Sequence, residues 1–234
     1  MPDGKKPPPI ADIQRPILDA EKKFLRGSRE HSDELATAGR VFLEFVRGFA
    51  SLGELGKCAT VFGSARFPED HRYYQMAREL GRRLAEEGYT VLTGGGPGIM
   101  EAANRGAKEA GGLSVGCNIQ LPREQKPNPY LDRFVEFEYF FVRKVMLVKY
   151  SQGFVVMPGG FGTFDEVFET ATLVQTGKIE KFPIIAMGTS FWRNIEGLRN
   201  AAIAEGTISQ SDRALFEQTD DVEEAIRLLG NGKQ

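Results

Sequence analysis

Pro158-Gly159-Gly160-Phe161-Gly162-Thr163-Phe164-Asp165-Glu166 concentrates the chain's most unusual chemistry. It follows the apolar run Phe154–Met157 and opens an amphipathic stretch through Val174, so it reads as strand, glycine turn and helix start. Glycines let the backbone approach a ligand, and free N–H groups at a helix N-terminus favour anions. Gly159, Gly160, Gly162 and Thr163 are therefore candidate phosphate ligands. Glu166 does not fit that role, because a carboxylate beside a phosphate costs Coulomb energy. Its presence points to chemistry next to the phosphate. The plainer alternative is an acidic side chain in a first helical turn, stabilising the helix dipole.

Two other segments bear on the same chemistry. Thr93-Gly94-Gly95-Gly96-Pro97-Gly98 again joins a strand to a helix, which makes Gly95, Gly96 and Gly98 a second candidate phosphate turn. It fails the dinucleotide spacing, since the third required glycine falls on Ile99 or Glu101, and no Gly-Lys-Ser/Thr triplet forms a P-loop. Both turns also have a purely structural reading as tight strand-to-helix connections. Phe140–Lys149 is a mostly apolar helix carrying Arg143 and Lys144 in its second turn. Buried charges need partners. Either these two form structural ion pairs, or Arg143, whose planar fork suits phosphate and carboxylate, faces the crevice.

The elements that must position these groups alternate regularly. Strands are expected at Cys58–Phe62, Tyr89–Leu92, Leu113–Ile119, Phe134–Glu138, Phe154–Met157 and Pro183–Met187, with helices between them and a last helix over Asp221–Leu229. That pattern predicts a doubly wound α/β fold, a mainly parallel sheet with helices on both faces. Ligands of such sheets bind beyond the carboxyl ends of the strands. Four turns converge there: Gly63 to Arg66, Gly94 to Gly98, the loop after Ile119, and Gly159 to Thr163. Upstream, residues 1–32 read as a mobile arm with a short helix near Ile17–Leu25, and 33–56 as a helix. Its Leu35, Val41, Phe42, Phe45, Val46 and Phe49 suit one packing face, toward the main domain or a second subunit. The domain proper is expected over 57–230.

Bulk composition narrows the classes. With 234 residues, 41% hydrophobic and 26% charged, the chain reads as one globular domain with additions. A net charge of −2 gives no support for a nucleic-acid surface, and no apolar run approaches a membrane span. MPDGKKPPPI has no apolar core after its lysines, so it does not read as a signal peptide, and a cytoplasmic location is expected. Cys58 and Cys117 read as buried, reduced thiols, and two histidines are too few for a zinc cluster.

Taken together, Gly94-Gly95-Gly96-Pro97-Gly98-Ile99-Met100, Arg143-Lys144 and the Pro158–Glu166 segment resemble the Lonely Guy family. These are cytokinin riboside 5′-monophosphate phosphoribohydrolases, many once mislabelled lysine decarboxylases. The resemblance covers about Lys57 to Glu205. It implies a Rossmann-like homodimer that cleaves the N-glycosidic bond of a nucleoside 5′-monophosphate, such as AMP, without metal or redox cofactor. By motif, Arg143 and Glu166 would be the catalytic pair. The Gly159–Thr163 turn would hold the phosphate, Lys144 would line the nucleotide site, and Glu124 would contact substrate. The family often has a histidine two places before the arginine, where this chain has Phe141. Molybdenum-cofactor carriers share the glycine turns and form the alternative reading, a non-catalytic carrier of a phosphorylated pterin. That role needs neither Arg143 nor Glu166.

Overall fold

The computed structural model describes residues 20–26, 31–120, 126–180 and 182–231. Most of the expected N-terminal arm therefore lies outside the described residues. Two N-terminal helices, α1 (Ala20–Arg26) and α2 (His31–Leu52), lead into the alternating region. There follow β1 (Cys58–Phe62), α3 (Arg72–Glu86), β2 (Thr90–Thr93), α4 (Ile99–Glu109), β3 (Ser114–Ile119) and β4 (Arg133–Phe137). Then come α5 (Phe140–Tyr150), β5 (Phe154–Val156), α6 (Phe161–Gln175), β6 (Ile184–Ala186), α7 (Thr189–Ala204), β7 (Glu217–Gln218) and α8 (Val222–Gly230). Neither β7 nor the 3-10 turn before it, Gln210–Leu215, was legible in the sequence, being short and polar.

All seven strands are parallel, in the order β4-β3-β2-β1-β5-β6-β7. The chain winds outward from β1 to β4, then returns to place β5 on the other side of β1. The winding reverses between β1 and β5, and such a reversal opens a crevice at the carboxyl edge.

Strand alternation divides the core in two. Phe154 and Val156 point to a layer with α2, α5, α6 and α7, whereas Val155 and Met157 point to a layer with α3, α4 and α8. On the second side, α3 and α4 approach closely because Gly81 and Gly106 meet the other helix's backbone, where a Cβ would clash. On the first side, α2 is pinned to α5. Buried Glu44 accepts the N–H groups of Glu138 (2.6 Å) and Tyr139 (3.3 Å), and Gly48 admits Met146. Glu44 thus holds, from another helix, the two residues that lead into α5.

The apolar face expected on α2 is divided in the structure. Val41 and Phe45 pack inward, whereas Leu35, Phe42, Val46 and Phe49 are exposed, together with Leu43. The six positions form one stripe roughly 140° wide, and the sheet domain covers only the edge that holds Val41 and Phe45.

Candidate active site

Three strand-end turns and the end of β3 surround a cavity of about 650 Å³ at the carboxyl edge of the sheet. Gly63 to Phe67, Gly94 with Met100, Asn118 with Ile119, and Gly159 to Thr163 contribute, with Arg143 and Phe140 from α5 and Phe191 from α7. Of the four turns expected to converge there, Gly63 to Arg66 and Gly159 to Thr163 line the cavity throughout and the Gly94–Gly98 turn only through Gly94, while residues 121–125 of the loop after Ile119 lie outside the described residues.

The β5–α6 turn sits at the reversal point. Pro158's carbonyl accepts the N–H of Ser64 (3.0 Å), tying it to the turn after β1. Gly159 is required by packing, because a Cβ there would overlap Thr163 Oγ1 and Cβ. Gly160 and Gly162 differ: a Cβ on either would meet no protein atom within 4 Å. Nothing in the fold demands glycine at those two positions, and both line the cavity. The N–H of Thr163 turns back to the Gly160 carbonyl (3.0 Å). Those of Phe161 and Gly162, in the first turn of α6, have no acceptor among the described residues. Free donors at a helix N-terminus favour anions.

The β2–α4 turn is placed differently. Gly94 lines the cavity, whereas Gly95, Gly96 and Gly98 do not. The Gly95 carbonyl accepts the Asn128 N–H (2.9 Å) and the Gly96 carbonyl accepts Asn128 Nδ2 (3.1 Å). Gly98 has φ +68°, and a Cβ on it would strike the Ser64 carbonyl. Ile99, first in α4, already donates its N–H to Ser64 (3.0 Å). These glycines are therefore held by the protein itself. Thr93, Asn104, Ser114 and Asn128 form the buried network beneath them.

Arg143 crosses the strand ends. Its Nε donates to the Cys117 carbonyl (3.0 Å), and a Cβ on Gly94 would lie 3.1 Å from its Nη2. Its Nη1 is 3.6 Å from Glu166 Oε1. Glu166 is 2% exposed, one helical turn below Thr163, and its Oε2 has no hydrogen-bond partner. It does not line the cavity but lies immediately behind Arg143. Burial outweighs the attraction of Arg143 and Lys144, pushing the carboxyl up to about 7. The pair is spaced beyond hydrogen-bond contact, so the desolvation cost is only partly offset.

Lys144 turns away from the cavity. Adjacent helical residues point about 100° apart, and with Arg143 facing the strand ends, Lys144 reaches Glu169 Oε2 (2.8 Å) and Asp165 Oδ2 (3.3 Å) on α6. For Lys144 the ion-pair alternative describes the geometry. Glu124 lies outside the described residues. Two cavity residues were not singled out from the sequence. Arg66 is exposed at the mouth, its backbone N–H held by Ser64 Oγ (3.1 Å) and its side chain without an ion pair among the described residues. Asn118 is a buried amide at the end of β3. Arg66 belonged to a turn already noted, whereas a lone asparagine in an apolar strand gave no signal.

A family model described as "Possible lysine decarboxylase" matches residues 100–229. A cytokinin riboside 5′-monophosphate phosphoribohydrolase of Mycobacterium tuberculosis is 30% identical over 169 residues, 70% of this chain and 88% of its own length. One from Rhodococcoides fascians is 27% identical, covering 74% of this chain and 89% of its own. Among solved structures, the molybdenum cofactor carrier protein of Chlamydomonas reinhardtii superposes with a TM-score of 0.54 at 26% identity, over 74% of this chain and 96% of that one.

Proposed function

This chain belongs to the Lonely Guy family, and on that premise we propose that it hydrolyses the N-glycosidic bond of a nucleoside 5′-monophosphate to free base and ribose 5-phosphate. The observation that carries the reading is Arg143, which lines a cavity shared with the glycine turn before α6 and has the buried Glu166 directly behind it. A carrier would use the turn alone. A phosphorylase or hydrolase of ribosides needs a charged group near the sugar, because cleavage develops oxocarbenium character.

In this reading the 5′-phosphate sits on the N–H groups of Phe161 and Gly162, with Arg66 at the mouth. Its binding energy fixes the sugar over the strand ends. Glu166, as carboxylate behind Arg143, places negative charge near the positive sugar ring that forms. Arg143, held by the Cys117 carbonyl, keeps Glu166 in place and faces the substrate. The protein acts in this reading as a homodimer, supported by the apolar residues exposed on α2 and α5.

The test is incubation with AMP and with isopentenyl-adenosine monophosphate, following released base by chromatography. Release from both, faster for the cytokinin nucleotide, is expected of a cytokinin-activating enzyme. Release from AMP alone would make it a general nucleotide nucleosidase. Binding without release from either would turn the reading to the carrier.

A further inference from the structure

We propose that Asn118 reads the departing base, donating a hydrogen bond from Nδ2 to N3 or N7 of a purine. This deepens the hydrolase reading and rests on it. Asn118 is 5% exposed and lines the cavity at the carboxyl end of β3. Its Oδ1 accepts the N–H of Ile119 at 2.7 Å. Only the oxygen of an amide can accept that proton, so the bond fixes which way the amide points. Nδ2 is left as a donor without a partner among the described residues.

The order of the strands gives this donor its place on the substrate. From β5 the edge runs to β1, β2 and β3, each step about 4.8 Å. The phosphate turn follows β5, and Arg143 lies over Gly94 at the end of β2. A nucleotide with its phosphate at β5 and its sugar beside Arg143 extends its base toward β3. There the wall offers Ile119, Met100 and Phe140 for the faces of a ring, and Asn118 as a polar group.

When the N-glycosidic bond breaks, its electron pair leaves with the base, and negative charge grows on the ring nitrogens. A donor fixed there is stronger in the transition state than in the ground state. Asn118 would therefore select bases with a ring-nitrogen acceptor and speed their departure.

The experiment compares wild type, Asn118→Leu and Asn118→Ser on AMP, 7-deaza-AMP and 3-deaza-AMP. Serine keeps a small acceptor for the Ile119 N–H, so it remains informative if the leucine variant does not fold. For each substrate the variant's kcat/KM is divided by that of wild type. The expected result is a loss of roughly 10-fold or more on AMP, carried mainly by kcat, with little loss on the deaza analogue that lacks the contacted nitrogen. An equal loss on all three substrates, or AMP turnover within about twofold of wild type, overturns the assignment. Wild-type turnover reports separately on the hydrolase reading, and no base release by wild type overturns both.

Discussion

Glu166 is the residue on which the enzymatic reading turns, and its environment sets a pH signature. Burial lifts its carboxyl from 4.5 to about 7, against the pull of Arg143 at 3.6 Å. The folded chain therefore holds a proton that the unfolded chain has lost between those values. The associated stabilisation is present below about pH 4.5 and is lost as pH rises through 7, on the order of 3 kcal/mol. Glu166→Gln stays neutral throughout. Its melting temperature should gain on wild type from pH 5 to pH 8, and a gap independent of pH would contradict a raised carboxyl. Activity should run the other way. If the carboxylate is the working form, kcat/KM rises with pH to a plateau above about 7, and Glu166→Gln loses roughly 100-fold or more at the plateau. Arg143→Ala removes the nearest positive charge, so the acid limb of the surviving activity should move to higher pH. A variant that lost only thermal stability would make the pair structural.

At the scale of elements, the β5–α6 turn separates glycines kept for the fold from glycines kept for a ligand. Gly159→Ala must displace Thr163, so it should lower both melting temperature and activity. Gly162→Ala meets nothing in the protein and removes a helix-destabilising residue, so stability should hold or rise by about 0.5–1 kcal/mol. Its methyl enters the space above the free N–H groups, and the KM for AMP should rise. Unchanged KM in Gly162→Ala would separate this turn from phosphate binding. The strand-turn-helix grammar here was legible in the sequence because the run of Phe154–Met157 and three glycines admit few other local structures. The same grammar did not show that Gly95, Gly96 and Gly98 stand off the cavity lining, or that Asn128, 30 or so residues along the chain, engages the carbonyls of Gly95 and Gly96. Local spacing says that a turn exists; the hydrogen bonds that close it come from elsewhere. Arg143 and Lys144 show the same limit. Both were visible as charges in an apolar helix, but only the packing angle of α5 assigns one to the cavity and the other to Asp165 and Glu169.

At the scale of the molecule, the unexplained surface is the outer side of α2. Leu35, Phe42, Leu43, Val46 and Phe49 are 42–65% exposed along a 22-residue helix, about 33 Å long. Phe141 and Val145 on α5 extend the same apolar surface, and Lys149 lies 5.6 Å from the Phe49 ring between the two helices. Contiguous apolar patches of this size on a water-facing surface mark interaction sites. The inner face is already satisfied by Glu44, Gly48 and Leu52 against the sheet domain, and the outer residues remain largely open to solvent. Self-association through this face, as proposed above, is therefore the outcome to test. Sedimentation of the wild-type chain should give a dimer or larger, and Phe42→Lys combined with Val46→Lys should shift it to monomer with its helical circular dichroism intact, since neither side chain contributes to the core. An assembly that survives both substitutions would place the subunit contact elsewhere, and a wild-type monomer would leave the face to a different partner. Activity measured on the separated monomer then tells whether α5, which carries Arg143 beneath that surface, needs the second copy to hold its pose.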